Sequence, residues 1–75
     1  MRPLYAIAHE ICADWKKVSP CAVPYLSAMS YIASVNDNYG YDSGRSIVSY
    51  FLANAGTWRG ETAKRIKAEL KAMIK

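Results

Sequence analysis

Apolar residues recur along this chain at the spacing of one helix face, in four blocks separated by proline, glycine and asparagine. In the first block Leu4, Ile7, Ala8, Ile11, Trp15 and Val18 follow the i, i+3, i+4, i+7 pattern, while Glu10, Asp14 and Lys17 fall on the opposite side. Pro3 suits a first helical turn, where its missing N–H costs nothing. Ser19-Pro20 stops the run, because a residue before proline avoids the α region. A second block opens at Pro24, carries Tyr25, Leu26, Met29, Ile32 and Ala33, and holds no charge, which predicts the central and most buried helix.

Asn36-Asp37-Asn38-Tyr39-Gly40 is a turn cluster, since Asn and Gly tolerate the left-handed conformation that ends helices. Asp42 or Ser43 can cap a third helix whose inner face is Ile47, Val48, Phe51, Leu52 and Ala55, with Tyr50 pointing away. Gly56 is expected to supply positive φ after it, and Thr57 to cap a fourth helix with the core stripe Ala63, Ile66, Leu70, Met73 and Ile74. Sustained two-residue alternation is absent, so no sheet is predicted. The reading is an all-α fold: one domain over 1–75, a compact bundle of four short helices at about 3–18, 24–35, 43–54 and 58–74.

Charge singles out the last block. From Trp58 onward there are six basic residues, Arg59, Lys64, Arg65, Lys67, Lys71 and Lys75, against Glu61 and Glu69. Before it, Arg2, Lys16, Lys17 and Arg45 balance Glu10, Asp14, Asp37 and Asp42. The net charge of +4 therefore belongs to one helix. At roughly 100° per residue, Lys64, Lys67, Lys71 and Lys75 project within about 80° of one another. Arg65 is flanked at i−4 and i+4 by Glu61 and Glu69, spacings that allow neutralising pairs. The lysine row, with Arg59 near the helix start, is the candidate contact for nucleic acid or an acidic partner. A solvated flank favoured by the helix dipole is the bland alternative. A helix-turn-helix outline over the last two blocks is faint, because Thr62 and Arg65 fall where a recognition helix would dock apolar residues.

Six tyrosines are many for 75 residues. Tyr5 and Tyr25, with Trp15 and Trp58, read as finishing the core. Tyr39, Tyr41 and Tyr50 read as candidate protein-interface residues, apolar area with a polar tip.

Chemistry is thin by comparison. His9 is the only histidine, and Cys12 and Cys21 are too few for a disulfide framework. They read as small packing residues kept reduced. An encounter of His9 with Cys12 at i, i+3 would sit on an exposed helix without a pocket. The residues around Gly40 lack the spacing and the terminal Glu of a calcium loop. No catalytic, cofactor-binding or metal motif is present, so neither enzyme activity nor a cofactor is expected. Met1 to Ala8 lacks an apolar signal core, and the uncharged run Val18 to Asn36 contains two prolines and four serines, unlike a membrane span. A cytoplasmic protein with no membrane partner is expected.

Several blocks carry a resemblance: Asp14-Trp15-Lys16-Lys17, Ala22-Val23-Pro24-Tyr25-Leu26, Asn36-Asp37-Asn38-Tyr39-Gly40, Ser46 to Leu52, and Thr57-Trp58-Arg59-Gly60-Glu61-Thr62-Ala63. In these the chain resembles small proteins carried on phages and conjugative elements of Gram-positive gut bacteria. The resemblance implies a setting, a bacterial cytoplasm and a mobile-element accessory role, and no catalytic motif. Two functions remain open at this point. One is a non-enzymatic protein-interaction module that self-associates or binds a host or element partner through Tyr39, Tyr41 and Tyr50. The other is a small DNA- or RNA-binding accessory protein using Arg59, Lys64, Lys67, Lys71 and Lys75.

Overall fold

Pro3, extended at φ −66° and ψ 150°, feeds the first helix, α1, Leu4–Asp14. In this computed structural model, which describes residues 2–75, three further helices follow: α2 Val23–Met29, α3 Gly44–Ala53 and α4 Glu61–Met73. Met1 of the expected domain lies outside the described residues. A two-stranded antiparallel hairpin, β1 Asn38–Tyr39 and β2 Asp42–Ser43, sits between α2 and α3. The protein is mostly helical, and the expectation of no sheet is corrected by this hairpin. Each strand has two residues, too few to display alternation. Its two-residue loop, Gly40-Tyr41, has positive φ only at Gly40 (64°), as a type II′ connection requires.

The helices are shorter than the apolar pattern predicts, and each shortening has a local cause. The first ends at Asp14 instead of about residue 18. Trp15 turns extended (φ −91°, ψ 92°) while its N–H still reaches Ile11 O, and its indole packs into the core. The second ends at Met29, six residues early, in tight turns in which Tyr31 N–H donates to Ala28 O at 3.1 Å. Beyond it the amides of Ala33 and Ser34 both donate to Asp37 Oδ2 at 3.0 Å, so the backbone leaves the helical ladder for a side-chain acceptor. The freed Ala33 carbonyl accepts Leu4 N–H at 2.9 Å, satisfying an orphan donor at the start of α1. Val23, Pro24 and Ser27 are exposed, so α2 is not the uniformly buried helix its lack of charge predicts.

Of the two candidate caps, Asp42 and Ser43, it is Ser43 that caps α3, its hydroxyl accepting Ser46 N–H at 3.1 Å. The fourth helix starts at Glu61, three residues later than predicted. Its N-cap is Gly60 at φ 114°, ψ 179°, a conformation that residues with a Cβ rarely adopt, and Thr57 is not the cap. Gly56, expected at positive φ, does not adopt it; Gly60 does.

All four helices contribute to one apolar cluster. Leu4, Ile7 and Ile11 of α1 meet Leu26 and Met29, Ile47, Val48 and Phe51, and Ile66 and Leu70 of the others. At its aromatic end Trp15 stacks on Trp58 (centroids 5.7 Å apart, planes 11°), and Phe51 meets both edge-on. Gly44 is buried where α3 crosses the loop after α2; a Cβ there would lie 2.6 Å from Ser34 O and 2.8 Å from Val35 Cα.

Candidate interaction surfaces

The charges sort themselves before any site can be drawn. Arg2 donates to both oxygens of Glu69, through Nη2 at 2.7 Å and Nε at 3.2 Å, and its other nitrogen reaches Glu10. Arg65 completes the group on the second Glu10 oxygen. Arg65 is thus paired across the fold to α1, correcting the expected i±4 pairs with Glu61 and Glu69. Glu10 does not stand free in solvent on an outer face. The Arg2 guanidinium, then Arg65, holds the Glu10 carboxyl below the usual glutamate range. Arg2 does the same for Glu69 and is itself held more firmly protonated by both. Asp14 likewise has a partner, accepting the Trp58 indole N–H at 2.8 Å.

This quartet is internally neutral, and it leaves the C-terminal lysines out. Among the described residues no ion pair reaches Arg59, Lys64, Lys67, Lys71 or Lys75. Lys64 and Lys71 are exposed on α4, Arg59 is exposed just before its N-cap, and Lys75 lies beyond the last helical turn rather than within the row. Lys67 differs from the rest. Its ammonium donates to Trp58 O at 2.6 Å and lies 5.8 Å from the Trp58 ring centroid, within cation–π range. Partial burial, then Lys71 and Arg59, pushes its proton affinity down.

Aromatic residues separate by type. Trp15, Phe51 and Trp58 are buried; Tyr5, Tyr31, Tyr39, Tyr41 and Tyr50 are exposed, and Tyr25 is half-buried. Tyr25 stacks on Tyr50 (centroids 5.5 Å) and Tyr31 on Tyr39 (5.7 Å). Each pair joins the α2 segment to the hairpin–α3 segment, so the two line the same seam, and Tyr41 stands fully exposed at the hairpin loop. Tyr39, Tyr41 and Tyr50 are exposed. Tyr5 is on the surface instead of in the core, and Tyr31 is an exposed, stacked ring outside the expected set. Its signal is the serine run beside it, Ser27, Ser30 and Ser34, a polar edge on an otherwise uncharged segment.

Tyr5, His9 and Cys12, spaced i, i+4, i+7 on the outer side of α1, line an open groove of about 540 Å³ whose other wall includes Ser30. Both cysteines are exposed, so the expectation of packing roles is corrected. His9 and Cys12 share this groove without a hydrogen bond between them among the described residues. No group of three or more His, Cys, Asp or Glu able to hold a metal ion occurs among the described residues. No helix among them is long and apolar enough to cross a membrane.

The chain matches no protein-family model, no curated protein and no solved structure.

Proposed function

We propose that this chain is a non-enzymatic protein-interaction module whose contact surface is built on its tyrosines, with Tyr39, Tyr41 and Tyr50 at the centre. One observation carries the reading: five of the six tyrosines are exposed, while the tryptophans and the phenylalanine are buried. A fold that simply needed aromatic bulk would bury tyrosine bodies as well. Leaving them outside costs apolar burial that a domain of this size needs. Tyrosine supplies large contact area at low ordering cost, with two side-chain torsions and a hydroxyl for the rim of an interface. Stacking in two pairs lowers that cost further, because the rings are oriented before a partner arrives. The four helices around one core fit a small helical bundle acting as a rigid platform for this surface. The resemblance to phage and conjugative-element proteins supports a bacterial cytoplasm and an accessory role on a mobile element.

Sedimentation velocity from dilute to concentrated protein tests the self-associating form. Concentration-dependent association, lost in Tyr39→Ser/Tyr41→Ser, is expected. A strictly monomeric chain leaves the hetero-partner form. A photo-crosslinking residue at position 41 should then give a discrete adduct in cells that the same residue at Lys16 does not. Absence of both results overturns the proposal.

A further inference from the structure

The tyrosine seam does not account for the surplus charge, which lies on α4 and the segment leading into it. Three features of that ridge point to one kind of ligand. First, no ion pair among the described residues reaches it: Arg2, Arg65, Glu10 and Glu69 satisfy one another, and Glu61, exposed at i−3 from Lys64, offsets only one of its five charges. Holding like charges together without a partner opposes folding, and an anion relieves it.

Second, the ridge is partly preorganised. Lys67 is tethered by Trp58 O and the indole face, and an ammonium has three donors, so two remain for an outside acceptor. Partial burial first, and then the charges of Lys71 and Arg59, weaken its hold on its proton, so Lys67 lies within the field of both neighbours.

Third, the charges repeat along a line with little else between them. Lys67 and Lys71 are one turn apart, an axial rise of about 6 Å. Ala68 and Ala72 are exposed and small, and none of the exposed large hydrophobic residues lies on α4. A protein partner would want an aromatic or aliphatic anchor at the centre of its contact, which this ridge lacks. A single phosphate would engage only part of the row. A regular polyanion uses all of it.

We propose that Arg59, Lys64, Lys67 and Lys71, extended by Lys75, form a binding ridge for the phosphate backbone of nucleic acid, gripping it without reading base sequence. Backbone phosphates supply affinity and position but no sequence information, and four of the ridge's five cations are lysines, point charges rather than the planar, bidentate groups that read base edges, with Arg59 the one exception.

The test is a fluorescence-anisotropy titration of labelled duplex and single-stranded DNA and of RNA, at several salt concentrations. Binding is expected at low salt, with log affinity falling against log salt at a slope of about −3, the value for three to four phosphate contacts. Two unrelated duplex sequences should bind within about threefold of each other. The triple substitution Lys64→Gln/Lys71→Gln/Lys75→Gln spares the Lys67–Trp58 tether. It should weaken binding strongly and reduce the slope to no steeper than about −2, the value for the two cations left, Arg59 and Lys67, with a thermal midpoint no lower than that of the parent chain. No binding at low salt overturns the proposal, as does a slope unaltered in the triple variant. Poly-glutamate bound as tightly as nucleic acid would also overturn it, making the ridge a site for acidic protein. A marked preference for one duplex sequence would overturn the backbone-only mode.

Discussion

Trp58 donates its indole N–H to Asp14 Oδ2 across 2.8 Å, closing a contact between residues 44 positions apart. The same indole stacks on Trp15, one residue after Asp14, so the end of α1 and the lead-in to α4 are held by a hydrogen bond and a ring stack together. Asp14→Ala leaves a buried donor without its acceptor and is expected to lower the unfolding free energy by about 1 kcal/mol. Asp14→Asn, whose amide oxygen still accepts, should cost less. Denaturant unfolding followed by tryptophan emission measures both.

Acid should loosen the joint between Arg2, α1 and α4. Glu10 and Glu69 have depressed folded-state proton affinity because Arg2 and Arg65 favour their charged forms. A depressed carboxyl contributes stability that is fully present above its unfolded value, about pH 4.3 for glutamate, and is lost as pH falls through the lower folded value. The melting temperature should therefore drop on acidification below about pH 4.3, and less steeply in Glu10→Gln/Glu69→Gln. Because the network is partly solvated, high salt at neutral pH should reproduce part of the loss. A drop of equal steepness in the double variant would place the acid sensitivity elsewhere.

Two glycines should respond oppositely to the same change. Gly44→Ala pushes a methyl against the backbone of Ser34 and Val35, atoms that cannot swing aside, and should destabilise by about 1–3 kcal/mol. Gly56 has open space around its Cβ position and lacks positive φ, so Gly56→Ala should be neutral or stabilise by about 0.4–1 kcal/mol, through a less flexible unfolded chain. Thermal melts of the pair decide it.

Tyr41 should be dispensable for folding. Fully exposed in the hairpin loop, it stacks on no other ring, and Tyr41→Ser is expected to change stability by less than about 0.5 kcal/mol. Loss of association in the same variant then reports on contact rather than on folding. A large fall in melting temperature would show instead that the ring supports the hairpin.

The four apolar blocks were legible because 3.6-residue periodicity depends only on which face each block buries. The α3 cap was legible to within two residues, Asp42 or Ser43, since either side chain can accept an amide of the first turn, and the fold selects Ser43. Where helices stop was harder to see. Ile32 and Ala33 continue the apolar pattern of α2, but Asp37 captures the next amides, and four-residue side-chain competition leaves no periodic mark. Gly60 was visible as a weak point in the last helix, yet only its φ of 114° makes it the boundary. Least legible were Arg2 with Glu69 and Arg65 with Glu10, pairs 67 and 55 positions apart. Local spacing offered Arg65 nearer partners at i±4, and the tertiary fold overrode them. The lysine row emerged from subtraction of charges, and its tether to Trp58 O depended on a backbone carbonyl that no side-chain pattern encodes.

The segregation of aromatic types gives the molecule two separate optical channels. Both indoles lie inside, so their emission follows the integrity of the interior, whereas nearly all the phenol absorbance comes from the outside. A docked protein should disturb the phenols while the indole band stays still. An anion that draws the Lys67 ammonium off its ring would shift the indole band with the phenols silent. Which colour moves first would tell the two kinds of partner apart in a cuvette, without a label.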